Sequence, residues 1–354
     1  MNSFAGLFEP LIETNCSLFD TILFSYAGLH RNVKDCHFTH NASDLQNACL
    51  ADLLAARAKS LGYIVTKLSG LDADVKTALV EKSFYKKHFV LNDSNYAVFS
   101  PKDSLCMVFN EEAHVSFRSV LPGLDLLGAW DRVNETDNAM AKQLDWAFDP
   151  DLGYLQADLA LSGSGLYAGF MAHTPALIMS GLADSAFKRI IEAGFMVNGR
   201  YSAHGNTSLF DIALPPGSRD AEEDSIQKLE EIARLLHEYE KSSREQLMKR
   251  SQLDVLDSIG RALGRAICAR LVSRDEATEI ILGLRFGIVA GVLEGLSLGR
   301  ISDIWQQLEI ETHKAAKNSM PETGAEQRAA VPESCFRARV LAKELSALHF
   351  RKGL

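Results

Sequence analysis

The chain has 354 residues, enough for two domains at roughly 150 residues each, and its 47% apolar, 23% charged composition is that of a globular protein. Thirty-seven Lys and Arg against 46 Asp and Glu leave a net charge of -9, which argues against a surface built to neutralise nucleic-acid phosphates. Six cysteines, at 16, 36, 49, 106, 268 and 335, form no Cys-x-x-Cys pair and are too few for a disulfide scaffold, so a reducing, cytoplasmic setting is expected. Glu9, Glu13 and Asp20 in the first twenty residues leave no basic start for a signal peptide. The most apolar window, Ile280 to Leu298, is interrupted by Arg285 and Glu294, so no membrane span is expected.

In chain order, Asp44 to Leu61 has helical periodicity. His88 to Phe99 alternates around an Asn92-Asp93-Ser94 turn, and Leu105 to Phe109 with His114 to Val120 makes a second strand pair, so this part is expected to be antiparallel β-structure. Asp158 is placed on a strand, and His173 in an apolar helix. The turn Gly163-Ser164-Gly165 is a weak phosphate-loop candidate if it opens a helix. Glu222 to Arg250 is a helix with Ile226, Leu229, Ile232, Leu236 and Tyr239 on one stripe and acids at its start, where the dipole favours them.

Beyond Arg250 the strand signal disappears. Leu253 to Arg270, Ser273 to Leu298, Ser302 to Lys317 and Glu333 to Leu348 read as helices, the second begun by the capping-box spacing Ser273-Arg-Asp-Glu276. Asn318 to Pro332 reads as a flexible connection, and a domain boundary is expected near 248. Glycines at 283, 287, 291, 295 and 299 each cost about 1 kcal/mol in a helix interior. Close helix approach offsets that cost, inside a bundle or across a dimer seam.

The cluster Asn110-Glu111-Glu112-Ala113-His114 resembles the Asn-Glu-Glu-Asp-His signature of the ATP:guanidino phosphotransferases. Arg31-Asn32, Val120-Leu-Pro-Gly-Leu124, Gly153-Tyr-Leu155, Gly163-Ser-Gly165-Leu166 and His173-Thr-Pro-Ala-Leu177 stand in the order seen in the McsB-type protein-arginine kinases of that family. Leu253-Asp-Val-Leu256 and Leu284-Arg-Phe-Gly-Ile288 resemble their C-terminal dimerisation domain. The resemblance implies an α+β fold. An antiparallel sheet flanked by helices, over 1–248, would be followed by an all-α dimerisation-type domain over 249–354 that can bind phosphoarginine. It also implies Mg-ATP as cosubstrate and arginine side chains of proteins as phosphoryl acceptors.

The positions that carry the family's chemistry differ. Aligned on the motifs, five family arginines become Tyr26, Gly28, Ser116, Tyr167 and Asn198, so the nucleotide site is expected to be degenerate. At about 1.5–3 kcal/mol per charge-assisted bond, losing even three would weaken nucleotide binding by orders of magnitude. The signature aspartate is Ala113, the glutamate of the substrate loop aligns with Ala203, and Asp158 stands where relatives carry a cysteine. Glu111 and Glu112 would be relics of the catalytic carboxylates or a retained arginine clamp, with Asp158 and His114 as possible guanidinium contacts. A metal site from Glu111, Glu112, Asp158 and His114 is allowed by ligand type, with nothing to fix its geometry. Arg118 and Arg200, two residues beyond Ser116 and Asn198 on the same strand faces, could act as replacement cations or be ordinary solvent-facing arginines. The phosphoarginine-reading pair aligns with Glu333 and Ser334, with Arg337 and Arg339 nearby.

The expectation is a protein-arginine kinase homologue that has lost catalysis and acts through protein contacts as a dimer. Its partners would be arginine-bearing substrates or an active paralogue. No cofactor is expected. The alternative is an active kinase using ATP, Mg and the shifted cations Arg118 and Arg200.

Overall fold

The computed structural model describes residues 16–81, 95–100, 104–200, 208–318 and 332–353. Its strands are β1 (Ile22–Arg31), β2 (Ile64–Lys67), β3 (Tyr96–Ser100), β4 (Leu105–Phe109), β5 (Val115–Pro122), β6 (Phe148–Asp149), β7 (Gly153–Tyr154), β8 (Leu166–His173), β9 (Met196–Arg200), β10 (Leu209–Ala213), β11 (Leu293–Glu294) and β12 (His349–Phe350). The helices are α1 (Asp44–Ser60), α2 (Ala73–Glu81), α3 (Leu126–Ala141), α4 (Pro175–Met179), α5 (Ala183–Glu192), α6 (Glu222–Arg250), α7 (Gln252–Cys268), α8 (Arg274–Val289), α9 (Leu298–Asn318) and α10 (Glu333–Glu344).

Eight strands form one sheet in the order β2-β3-β4-β5-β1-β8-β10-β9. Every pairing in it is antiparallel, and with helices against it the fold is α+β, as expected. The longest strand, β1, lies between β5 and β8, with Gly28 opposite both Arg118 and Tyr167. Because directly paired residues share a face, this register sorts the side chains into two sets.

One face carries Leu29, Phe117, Phe170 and Ile212, and it is buried beneath Leu50 and Leu54 of α1, Leu126 and Val133 of α3, and Ile226, Leu229 and Leu236 of α6. Each large side chain buried this way contributes about 1.5–3 kcal/mol. The opposite face is apolar only at its ends. At one, Phe99, Cys106 and Val108 meet Leu79 of α2. At the other, Leu23, Met171 and Leu209 meet Leu282 of α8, with Trp305 of α9 packed alongside. Between these ends lies a band of polar and aromatic residues.

A separate apolar cluster joins α7–α10 through residues such as Val255, Ile259, Ile280, Leu284, Ile304 and Leu341. The side chain of Arg285 leaves α8 to donate to the carbonyls of Asp20 and Phe19, just ahead of β1. It is 1% exposed, so the helical part is pinned to the sheet by a buried cation whose two terminal nitrogens donate to backbone oxygens.

Several elements depart from expectation. The helix begun at Ser273 ends at Val289 and does not reach Leu298, because Gly291 takes φ +70° and turns the chain into β11. That strand pairs with β12, so a short ladder exists in the region read as wholly helical. Within α8, a Cβ on Gly283 or Gly287 would meet Ala262 or Ile259 of α7 at 3.0 and 2.9 Å, so these two glycines serve packing inside the chain. His173 ends strand β8 and is not helical, and Gly163-Ser164-Gly165 opens that strand and no helix. Asp158 is not on a strand but caps the short 3-10 turn Leu159–Leu161, accepting from the Ala160 N–H at 2.9 Å. The Asn92–Ser94 turn, Ala203 and the interior of the 318–332 connection lie outside the described residues.

Candidate functional site on the polar face of the sheet

Register alone brings together the five positions expected from motif alignment to correspond to family arginines. Ser116 pairs with His30, Gly28 with Tyr167, and Asn198 with Asp211. Tyr26 lies opposite Gly169. All project from the polar face, together with Arg118 and Arg200.

The two tyrosines fill space that glycines leave. A Cβ on Gly28 would sit 2.1 Å from Cζ of Tyr167, and one on Gly169 would sit 2.5 Å from the Tyr26 hydroxyl. Each ring thus lies across a glycine of the neighbouring strand, and no other residue type permits so close an approach. The Tyr26 hydroxyl donates to Asp211 at 2.8 Å, and the other Asp211 oxygen accepts from Arg200 at 2.6 Å. The Tyr167 hydroxyl donates to the Phe117 carbonyl at 2.9 Å and accepts from Arg118 Nε at 3.3 Å. Burial pushes the Tyr167 hydroxyl up to about 12, and burial with the neighbouring Asp211 raises that of Tyr26. Both phenols therefore stay neutral at pH 7.

Arg118 and Arg200 both have partners, although the Arg200 side chain stays half exposed. Arg118 is partly buried, with its guanidinium 5.4 Å above the Tyr167 ring, and Arg200 is committed to Asp211. His30 stacks on the other side of the cluster, its ring 4.4 Å from that of Tyr167 at 24°. Its Nδ1 lies 2.7 Å from Ser116 Oγ, and its Nε2 lies 3.4 Å from Glu112. Sequence reasoning did not single out His30. The signal was available only as strand alternation from Tyr26 through Gly28.

Glu111 and Glu112 occupy the turn between β4 and β5 that follows Asn110, whose φ is +53°. His114 is fully buried. Its Nδ1 accepts from the Val33 N–H at 2.9 Å, its Nε2 faces the His37 carbonyl at 2.8 Å, and burial lowers its pKa. With both nitrogens engaged by backbone, the ring ties the β4–β5 turn to the end of β1. Asn32 completes the tie by accepting from the His114 N–H and donating to the Leu155 carbonyl. Next to it, buried Arg31 pairs with Asp137 at 2.9 Å and lies 3.5 Å below the Tyr154 ring. Asp158 is exposed at its turn. Among the described residues, no group of three or more His, Cys, Asp or Glu side chains is placed to hold a metal ion.

In the helical part, Arg337 is bound bidentately by Glu309 at 2.7 and 2.9 Å and donates to the Val272 carbonyl. Each of its three nitrogens therefore has a partner. No described helix is long and apolar enough to cross a membrane.

Comparison with known proteins places this geometry. A model of the ATP:guanido phosphotransferase C-terminal catalytic domain matches residues 46–243. The chain is 29% identical over 305 residues to the protein-arginine kinase of Caldanaerobacter subterraneus subsp. tengcongensis, covering 82% of this chain and 88% of that one. It is 30% identical over 297 residues to that of Syntrophomonas wolfei subsp. wolfei, covering 80% and 82%. Among solved structures, a lombricine kinase shares the fold with a TM-score of 0.54 at 15% identity, over 63% of this chain and 67% of that one. The substrate-free duplicated taurocyamine kinase of Schistosoma mansoni does so at 0.56 and 19%, over 76% and 41%. Strand order, retained motifs and these matches agree: the chain belongs to the ATP:guanido phosphotransferase family and is a relative of the protein-arginine kinases.

Proposed function

We propose that this chain has lost ATP-dependent phosphoryl transfer and acts through protein contacts, binding arginine-bearing proteins or an active paralogue as a cytoplasmic homodimer. In this reading residues 1–248 are the phosphotransferase-like part, and 249–354 pair the subunits.

The observation that carries it is the reciprocal seating of Tyr26 on Gly169 and Tyr167 on Gly28, where the family resemblance puts phosphate-facing arginines. Transfer of a terminal phosphoryl group needs cations aimed at its oxygens as charge moves. Mg-ATP would meet two neutral phenols, a serine, an asparagine and the carboxylates of Asp211, Glu111 and Glu112, while Arg118 and Arg200 already hold other partners. The residues present do not fit a triphosphate. An active kinase would need both arginines to leave those partners and realign to well under about 1 Å.

The test is a calorimetric titration with Mg-ATP at low ionic strength, where electrostatic affinity is largest. No heat at millimolar nucleotide is the expected result. Micromolar binding, together with acid-labile phosphate on arginine of a test protein, would overturn the reading. Partner binding through the old acceptor side is checked with the Glu112→Ala, Asp158→Ala double variant, which should lose capture of arginine-rich peptides.

A further inference from the structure

The cluster that replaces the phosphate site contains a constellation of its own. Ser116 from β5, His30 from β1 and Glu112 from the β4–β5 turn form a relay in which the two imidazole nitrogens face a hydroxyl at 2.7 Å and a carboxylate at 3.4 Å. The three are far apart in sequence and meet only through the β1–β5 register, where His30 pairs with Ser116. We propose that Ser116, His30 and Glu112 are a nucleophile, general base and orienting carboxylate for acyl transfer from small carboxylic esters. This activity is distinct from phosphoryl transfer and does not depend on nucleotide binding.

The geometry supplies the roles such chemistry needs. With the imidazole proton on Nε2, Nδ1 accepts from the Ser116 hydroxyl while Nε2 lies 3.4 Å from the Glu112 carboxylate, the tautomer a base in this position requires. The His30 ring cannot swing freely, because it is stacked on Tyr167, itself held between Gly28, the Phe117 carbonyl and Arg118. Exposure rises along the relay, from 3% at Ser116 to 20% and 58% for the side chains of His30 and Glu112. The nucleophile is therefore shielded while the carboxylate is wet, and a separation of 3.4 Å in the resting state tightens once the imidazole becomes a cation.

The step balances without a further reactant. The Ser116 oxygen attacks the ester carbonyl and its proton passes to His30 Nδ1. The carbonyl re-forms as the bond to the alkoxide breaks, and His30 returns the proton to that alkoxide. Water then repeats the sequence on the acyl-serine, releasing the carboxylic acid and regenerating the hydroxyl. Glu112 holds the imidazolium throughout and takes no proton.

The full-length chain would be treated with a fluorophosphonate probe, the modified peptide identified by mass spectrometry, and p-nitrophenyl acetate hydrolysis followed across pH. Expected are a label on Ser116, and a loss of hydrolysis of about 100-fold or more in Ser116→Ala and His30→Ala. Glu112→Gln should lower the rate and move the acid limb of the pH–rate profile to lower pH, since His30 loses the counter-charge that favours its protonated form. Glu112→Asp should recover part of both. Melting curves of the Ser116→Ala variant, which removes one oxygen and no volume to speak of, distinguish lost chemistry from lost folding. An unlabelled Ser116 in the folded protein, or hydrolysis unchanged by Ser116→Ala, would overturn the proposal. Micromolar Mg-ATP binding would instead overturn the separate reading of the nucleotide site.

Discussion

The two faces of the eight-stranded sheet are made by the same strands and obey different rules. Beneath α1, α3 and α6, Leu29, Phe117 and Phe170 fill volume against apolar partners, so any side chain of similar size and polarity would serve. On the other face Tyr26, Tyr167, His30, Arg118 and Asp211 are fixed by directed hydrogen bonds and by glycines that only one ring position can use. The first face is filled by volume, and the second is fixed by direction. Several residues in the motifs that the chain shares with its family are buried struts. Asn32 and His114 hold the end of β1 to the β4–β5 turn, and Arg31 holds it to Asp137 of α3.

The strongest way to break this division is to remove a strut. Arg31→Ala leaves Asp137 buried and uncompensated, and an unfolding midpoint in urea should report a loss of about 3–5 kcal/mol. His114→Leu orphans the Val33 N–H and the His37 carbonyl, at about 1–3 kcal/mol for each group, measured the same way. If His114 were a surface guanidinium contact, the variant would instead keep its stability and lose peptide binding.

On the polar face, Gly28→Ala should cost about 1–3 kcal/mol, because its Cβ would lie 2.1 Å from the Tyr167 ring and 2.4 Å from the Phe117 carbonyl. Combining it with Tyr167→Ala should cost less than the sum, and the coupling in that double-mutant cycle measures the ring–glycine fit.

A smaller effect sharpens the contrast through pH. Glu240 of α6 is 1% exposed, accepts from the Ala176 and Leu177 N–H groups at the start of α4, and is pushed up by burial from 4.5 to about 7. A carboxyl whose pKa rises on folding favours the folded state while protonated. Its contribution is complete below about pH 4.5 and disappears as pH climbs through about 7. Relative to the parent, Glu240→Gln should flatten the stability profile across that window, by about 1–3 kcal/mol over its span. Asp158→Ala, at an exposed turn, should cost about 0.5 kcal/mol or less in the same assay.

Much of the covered layer was legible in the sequence. Glu222–Arg250 and Leu105–Phe109 appear with the bounds their periodicity predicts, because one-sided burial leaves a clear hydrophobic repeat. The central strands were not. In β1 the polar-face residues Tyr26, Gly28 and His30 alternate with Ser25, Ala27 and Leu29, all buried or half-buried, so little contrast marks the period. The apolar run of β8 likewise looks helical until its neighbours are known, which is why His173 was misplaced. The family itself was legible from its motifs. The contacts of Tyr26, His30 and Tyr167 were not, since they depend on which strands are adjacent.

The matched tyrosine–glycine pairs also bear on which substitutions the sheet tolerates. An arginine placed at position 28 would be driven into the Tyr167 ring and the Phe117 carbonyl, and one placed at 26 would lose the Asp211 bond while entering a niche that holds a flat ring. Neither position takes a long, branched cation without a change in its neighbour. The two rings and two glycines are therefore an interlocked set, in which one member constrains what the others can become.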